Sequence, residues 1–231
     1  AGGTGLVLRG LRKEPATIGK WHLGWDLTYK EGKAKTVDNI DFTKRVANGP
    51  TDRGFDYFYG LTSPSGPPHL YMVNDMAEKQ PNTRFEESGG GLYKIKGGIG
   101  HSDWSSDGMQ PHLADKMLEY LDENKDSDKP FFLYMALTAP HIPLFPSKEF
   151  KGKSKIGDYG DLVMMIDDIV GRVNRKLKEI GKYNNTIVMF AADNGCAGYI
   201  NMDRINRKGH YPSYIYRGYK SHGWEGGHRI P

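Results

Sequence analysis

One apolar run that ends in oxygen-bearing side chains constrains the fold of this chain more than any other feature. Residues 186 to 195 read TIVMFAADNG, and the segment from Ile187 to Phe190 is typical of a parallel strand covered on both faces. Ligands of open α/β sheets bind beyond the carboxyl ends of such strands. The sequence therefore predicts a buried strand that carries Asp193 and Asn194 to a site suited to a hard cation. Alternatively, Asp-Asn-Gly is a simple turn.

Length and charge exclude some classes of protein and leave others open. The 231 residues suffice for one large α/β domain or two small ones. No apolar run reaches the roughly 18 residues of a transmembrane helix, so we expect no membrane span. The net charge of +4 is spread along the chain, which argues against a nucleic-acid partner and is compatible with anionic substrates. The single cysteine, Cys196, excludes an internal disulfide framework.

Helices and a further strand are predicted between residues 112 and 193. Leucines and methionines from Leu113 to Leu121 share one helical face, and residues 131 to 138 (FFLYMALT) read as a buried strand. A second helix is predicted by apolar residues at steps of three and four, and Gly181 fits the cap after its last turn. Its apolar positions are Leu162, Met165, Ile166, Ile169, Val173, Leu177 and Ile180. This order of elements predicts an α/β fold with a largely parallel sheet and helices on both faces.

The first half of the chain is less regular. We expect Pro15 to interrupt any strand that leads into residues 17 to 24, and residues 26 to 53 to form loops. The aromatic cluster of residues 54 to 60 predicts core or pocket wall. Prolines and glycine clusters in residues 61 to 111 predict a long loop excursion that shapes a binding mouth. Within it, four residues are either sugar-pocket or ordinary loop residues: His69, Asp75, His101 and Trp104.

Ionisable side chains cluster at three junctions between strands and loops and on the final segment. They are Lys20 with His22, then His141, then Asp193 with Asn194, and finally Lys220. Each alone also fits an ordinary surface charge or a hydrogen-bonded histidine. Directed at one crevice, they would form a strongly cationic site for a tetrahedral oxyanion.

Four of these segments resemble motifs of the type I sulfatases, in the alkaline phosphatase superfamily. The motifs are GKWHLG at 19 to 24, PFFLYMALTAPHIP at 130 to 143, ADNG at 192 to 195 and KSHGWEGGHRIP at 220 to 231. They occur in the family's order and cover about residues 17 to 231. The resemblance implies the family's α/β core, in which a mostly parallel, mixed sheet is sandwiched by helices.

The resemblance also implies roles for individual residues. Asp193 and Asn194 would ligate one calcium ion, while Lys20 and Lys220 would neutralise the oxygens of a bound sulfate group.

The two histidines would act on the reacting bonds. His22 would orient the nucleophile and help to collapse the covalent intermediate. His141 would contact the sulfate and protonate the departing alcohol as general acid.

The sequence departs from the family at the nucleophile, which is a formylglycine made from a cysteine in a Cys-x-Pro-Ser-Arg sequence. No such sequence is present, and Cys196 is followed by Ala-Gly-Tyr-Ile, so a structural thiol is the better interpretation. The aspartate pair that completes the calcium shell is missing as well. We therefore interpret residues 1 to 231 as the central part of a catalytic domain, incomplete at both ends. The nucleophile segment and the C-terminal subdomain lie outside it, so this piece alone is expected to have no measurable turnover and to bind calcium weakly.

These observations predict a sulfuric ester hydrolase that cleaves a sulfate monoester from a carbohydrate or an aryl alcohol. By resemblance, the enzyme is expected to be periplasmic or secreted. The alternatives are a phosphatase, phosphodiesterase or phosphonate hydrolase of the same superfamily, and a non-catalytic protein that binds sulfated glycans.

Overall fold

A computed structural model describes residues 14–230, and residues 1–13 and 231 lie outside the described part of the chain. The strands are β1 (Glu14–Lys20), β2 (Tyr57–Leu61), β3 (Met72–Val73), β4 (Met76–Ala77), β5 (Thr83–Phe85), β6 (Gly98–Gly100) and β7 (Phe131–Ala136). The α-helices are α1 (Met109–Glu123), α2 (Asp158–Glu179), α3 (Met202–Asn206) and α4 (Glu225–His228). Short 3₁₀ turns join several of these elements.

Five strands form the principal sheet, in the order β4, β3, β2, β1, β7. The three longest strands are parallel, with β1 between β2 and β7, whereas β3 and β4 add antiparallel pairs at one edge. β5 and β6 form a separate antiparallel pair. The predicted α/β fold with a mixed sheet and helices is confirmed. Because β1, β2 and β7 run in the same direction, their carboxyl ends share one edge of the sheet.

The start of β1 corrects one prediction. Pro15 lies inside the strand, opposite Phe132 of β7, so it does not interrupt the strand. A proline is tolerated near the first residue of a strand because few ladder hydrogen bonds depend on its missing N–H. Its carbonyl oxygen still accepts a hydrogen bond from the backbone of Asp56, at 2.8 Å.

The two long helices pack against one face of the sheet and against each other. Leu113 and Met117 of α1 are fully buried beside Ile18 of β1, as the helical spacing predicted. Six of the seven predicted apolar positions of α2, from Leu162 to Leu177, are buried, and Gly181 follows the helix in the left-handed conformation of a C-terminal cap. These two helices supply most of the core on this side of the sheet.

The opposite face is covered by an irregular layer, whereas the sequence predicted helices on both faces. Ile40, Phe42 and Val46 from the long loop between β1 and β2 pack against Phe58 of β2 and Met72 of β3. The interpretation of residues 26 to 53 as loop agrees with these contacts, because the segment contains only short 3₁₀ turns and isolated bridges.

The strand predicted between residues 186 and 193 is wrong for this structure. The segment forms no regular element, and Ile187 and Met189 are 88% and 82% exposed. A strand requires a neighbour for its backbone N–H and C=O groups. Among residues 14–230, the sheet ends at β7, and no strand pairs with this segment. The apolar pattern therefore reflects a high intrinsic β propensity, but the described part of the chain contains no strand that pairs with this segment.

The excursion over residues 61 to 111 contains only strands of two or three residues and one 3₁₀ turn before α1, as its prolines and glycines predicted. His69 and Trp104 are buried, at 1% and 5% exposure, and their ring centroids lie 4.5 Å apart. These two side chains are packing residues, which removes them from the possible pocket residues.

Candidate functional site

The first site segment lies where β1 leaves the sheet. Lys20 is the last residue of β1, and the backbone N–H of Trp21 donates to the carbonyl oxygen of Leu61 at 3.0 Å, which ties this end of β1 to the end of β2. His22 then adopts a left-handed backbone conformation with φ of 46°, which is uncommon for a residue other than glycine. The chain thus turns abruptly at His22, and its imidazole is exposed at the sheet edge where Lys20 lies.

The second segment is the loop after β7 that carries His141. The backbone N–H of His141 donates to the carbonyl oxygen of Thr138 at 3.1 Å, and the buried Gln110 of α1 contacts the Thr138 hydroxyl at 2.8 Å. The Nδ1 atom of His141 lies 2.5 Å from the carbonyl oxygen of Ile142. A carbonyl oxygen only accepts, so Nδ1 carries the proton and Nε2 is left free for a ligand.

Residues 193 to 196 and the final segment are joined by backbone hydrogen bonds. The N–H of Lys220 donates to the carbonyl oxygen of Cys196 at 2.9 Å, and the N–H of Gly195 donates to that of Gly227 at 3.0 Å. A Cβ on Gly195 would lie 2.8 Å from the carbonyl carbon of Gly226, so this close approach requires glycine. Lys220 is therefore held beside the Asp-Asn-Gly turn.

Electrostatic effects connect these segments into one charged site. Burial lowers the pKa of Lys20, the carboxylate of Asp193 opposes that decrease, and the charge of Lys220 adds to it. The pKa of His141 is lowered by burial and by both lysines, while its contact with Ile142 and the charge of Asp193 act in the opposite direction. The pKa of His22 is lowered by burial and then by Lys20, His141 and Lys220. Each group thus lies in the electric field of the others.

We call this arrangement the cradle, and it comprises Lys20, His22, His141, Asp193, Asn194 and Lys220. The structure brings together side chains that are up to 200 positions apart in the sequence. Two ammonium groups and two imidazoles oppose one carboxylate, so the cradle is cationic overall and suits a small oxyanion.

The oxygen atoms of Asp193 and Asn194 fit the preference of calcium for carboxylate and amide oxygen ligands. The amide nitrogen of Asn194 donates to the carbonyl oxygen of Gly195 at 3.2 Å, which leaves its Oδ1 available. Calcium takes about six to eight oxygen ligands, so two side chains supply only part of a shell. Within residues 14–230, no group of three or more His, Cys, Asp or Glu side chains is arranged to hold a metal ion. The donor chemistry fits calcium, and the remaining ligands must come from elsewhere.

Cys196 has the surroundings of a structural thiol. Its sulfur lies 3.4 Å from the hydroxyl oxygen of Tyr159, and burial raises the pKa of the thiol. A raised pKa disfavours the thiolate, which is the nucleophilic form. This environment agrees with the interpretation that Cys196 is not the nucleophile.

Two residues that support the cradle were not predicted from the sequence. Gln110 buttresses the His141 loop through Thr138, and the hydroxyl of Tyr199 lies 3.5 Å from the backbone N–H of Ile142. The only available signal for Gln110 was a polar residue on the apolar face of a predicted helix. For Tyr199 it was an aromatic residue close behind Asp-Asn-Gly.

Comparisons with known proteins find related sequences over most of the chain. The family model described as Sulfatase matches residues 7–231. An N-acetylgalactosamine-6-O-sulfatase of Bacteroides thetaiotaomicron is 28% identical over 249 residues, covering 93% of this chain and 47% of that protein. An N-acetylgalactosamine-6-sulfatase of Sus scrofa is 32% identical over 192 residues, covering 83% of this chain and 32% of that protein. The chain thus spans about half or less of the length of these relatives.

Solved structures show the same fold. One solved structure comes from work on the metabolism of multiple glycosaminoglycans by Bacteroides thetaiotaomicron. It superposes with a TM-score of 0.77 at 26% identity, covering 97% of this chain and 52% of that one. PsFucS1 sulfatase from Pseudoalteromonas sp. superposes with a TM-score of 0.65 at 24% identity, covering 98% of this chain and 43% of that one. Among residues 14–230, no helix is both long enough and apolar enough to cross a membrane.

Proposed function

This chain belongs to the sulfatase family, and we propose that its protein hydrolyses sulfate monoesters of carbohydrates. The observation that supports this proposal best is the mutual electrostatic influence of Lys20, His141, Asp193 and Lys220, as expected for side chains that serve one site. The relatives named as N-acetylgalactosamine sulfatases favour a sulfated amino sugar over an aryl alcohol as substrate. Export to the periplasm or the medium belongs to the same proposal.

The two lysines would bind the sulfate group. Their ammonium charges are compact and strongly attract the non-bridging oxygens, on which negative charge lies throughout the reaction. Because each lysine lowers the pKa of a neighbouring basic group, the positive charges of the cradle repel one another. A bound anion relieves that repulsion, so the charges select a sulfate ester over a neutral molecule.

His141 would deliver a proton to the leaving oxygen. In the free protein its pKa is depressed, so Nε2 carries a lone pair at neutral pH. Burial and the two lysine charges depress this pKa. A bound sulfate would offset the lysine charges and raise the pKa, which favours protonation at Nε2. Since Nδ1 stays bonded to Ile142, the ring presents this proton to the ligand in a fixed direction.

His22 and the cation ligands complete the proposal. The left-handed turn at His22 holds a second imidazole at the same sheet edge, where it would orient the nucleophile. Asp193 and Asn194 would hold a calcium ion. Formylglycine from outside residues 1 to 231 would supply the nucleophile, and the calcium ion would supply positive charge beside the sulfate.

A test compares sulfate release by the full-length, formylglycine-containing protein and by two lysine variants. The substrates are a 6-O-sulfated N-acetylgalactosamine oligosaccharide and a matched phosphate ester. We expect sulfate release, and we expect Lys20→Met to lower kcat/KM at least about 100-fold, as removal of one oxyanion-stabilising donor does. Lys30 lies in the loop between β1 and β2, so Lys30→Met is the matched control and should retain wild-type activity.

The outcomes separate the alternatives. Preferential release of phosphate would favour a phosphatase or phosphonate hydrolase. Tight binding of the sulfated oligosaccharide without turnover would favour a non-catalytic binding protein. Equal losses in Lys20→Met and Lys30→Met would contradict the role given to Lys20.

A further inference from the structure

A row of partly exposed aromatic rings begins next to the cradle. We call it the aromatic wall, and it comprises Tyr199, Tyr219, His222 and Trp224. Tyr199 is 41% exposed, and its ring lies edge-on to that of His141, with centroids 6.3 Å apart. Its hydroxyl contacts the backbone N–H of Ile142 at 3.5 Å. The wall is therefore anchored at the loop that carries the proposed general acid.

Tyr219 continues the wall from Tyr199 toward the final segment. A Cβ on Gly198 would lie 2.6 Å from a ring carbon of Tyr219, so the Tyr219 ring rests directly on the backbone before Tyr199. The other neighbour of this ring is His222, at a centroid distance of 4.0 Å. Tyr219 is 40% exposed, and the next residue in the chain is Lys220 of the cradle.

Trp224 ends the wall. It is 51% exposed, and the guanidinium of Arg217 lies 4.0 Å from the centre of its ring. Trp224 and His222 pack closely against Gly218, since a Cβ there would lie 3.0 Å from the Cβ of Trp224 and 3.2 Å from that of His222. The Trp224 ring and the positive charge of Arg217 therefore lie together at this end of the wall.

The chemistry of this surface selects a class of ligand. Aromatic faces pack well against the apolar C–H faces of sugar rings, and they lose little side-chain entropy on binding. Arg217 lies over the Trp224 ring and Lys220 follows Tyr219 in the chain, so positive charge beside these rings favours an anion. Rings that are 40 to 51% exposed are not consumed by core packing.

We infer that the aromatic wall is a binding subsite for the sugar rings of an anionic oligosaccharide, and that Tyr219 provides its central stacking face. The inference rests on the proposed function, because the wall starts at His141 and at Lys220 of the cradle. The sulfated sugar binds with its sulfate group in the cradle and its ring against Tyr219. The neighbouring sugar reaches toward Trp224 and Arg217.

The test uses the full-length protein, a sulfated tetrasaccharide and inorganic sulfate, which probes the cradle alone. In Tyr219→Ala, we expect the KM and the Kd of the tetrasaccharide to rise about 10-fold, as loss of one aromatic stacking partner implies. The inhibition constant of inorganic sulfate should stay within about twofold of wild type, because the lysines of the cradle are untouched.

Tyr183 gives a matched control. It is 39% exposed and lies in the turn after α2, at the other end of that helix from Tyr159, which contacts Cys196. Tyr183→Ala should change neither constant.

The inference is overturned if Tyr219→Ala binds the tetrasaccharide like wild type, or if its sulfate inhibition weakens in parallel. If wild-type protein cleaves no sulfate ester, the proposed function fails. The two dissociation constants of the tetrasaccharide then still decide whether the aromatic wall binds glycans.

Discussion

Gly19→Ala is expected to disrupt the junction that places Lys20. Gly19 lies between β2 and β7, paired with Gly60 on one side and with Ala136 on the other. Its φ of +130° is rarely adopted by other residues, and an added Cβ would lie 2.6 Å from the carbonyl carbon of Ala136. Backbone atoms in two hydrogen-bonded strands cannot move independently. The replacement therefore combines backbone strain with steric overlap, and we expect it to lower the free energy of unfolding by about 3–5 kcal/mol.

Gly24→Ala separates these two contributions. Gly24 also has a positive φ, of +86°, but an added Cβ there would meet no atom within 4 Å. We expect it to cost about 1–2 kcal/mol, which is the backbone term alone. Urea unfolding followed by tryptophan fluorescence measures both values. If the two variants lost the same stability within about 0.5 kcal/mol, the close contact between β1 and β7 would be refuted.

Three further predictions concern the cradle, α2 and the exposed apolar run. Inorganic sulfate should bind more tightly at pH 5 than at pH 8, because a bound anion raises the depressed pKa values of His141 and His22. In inhibition assays His141→Gln should weaken this dependence, since only the contribution of His22 remains. Asp161→Ala should lower the free energy of unfolding in urea by about 2–4 kcal/mol, since this buried carboxylate accepts two backbone N–H bonds. Asp158→Ala is the control: it removes only one hydrogen bond, from the hydroxyl of Tyr93, and should lower the same free energy by less than about 1 kcal/mol. In the 231-residue chain, Ile187→Lys with Met189→Lys should raise the soluble fraction measured by sedimentation, because both side chains are exposed; unchanged solubility would contradict this exposure.

The helices and the positions of the site segments could be predicted because their signals are local. The period of α2 and the cap at Gly181 depend on contacts within one element, and both agree with the structure. Placement of polar residues after apolar strands correctly indicated that Lys20 and His141 leave the sheet at the same edge.

Two predictions that depend on distant neighbours were wrong. The run from Ile187 to Phe190 has strand character, but pairing is decided by another segment of backbone, and none is present among the described residues. Pro15 shows the opposite case, since pairing of the surrounding residues with β7 keeps it in a strand. The aromatic wall was missed because its ring contacts join residues whose spacing follows no regular period.

The central claim is that Lys20, His141, Asp193 and Lys220 form one site for a sulfate group. The most direct measurement is a crystal structure of the full-length protein with bound sulfate and calcium. We predict that the sulfate oxygens lie within hydrogen-bond distance of both lysine Nζ atoms and of the His141 Nε2, beside a cation held by Asp193. A sulfate bound elsewhere, or lysines that face different surfaces, would contradict the account.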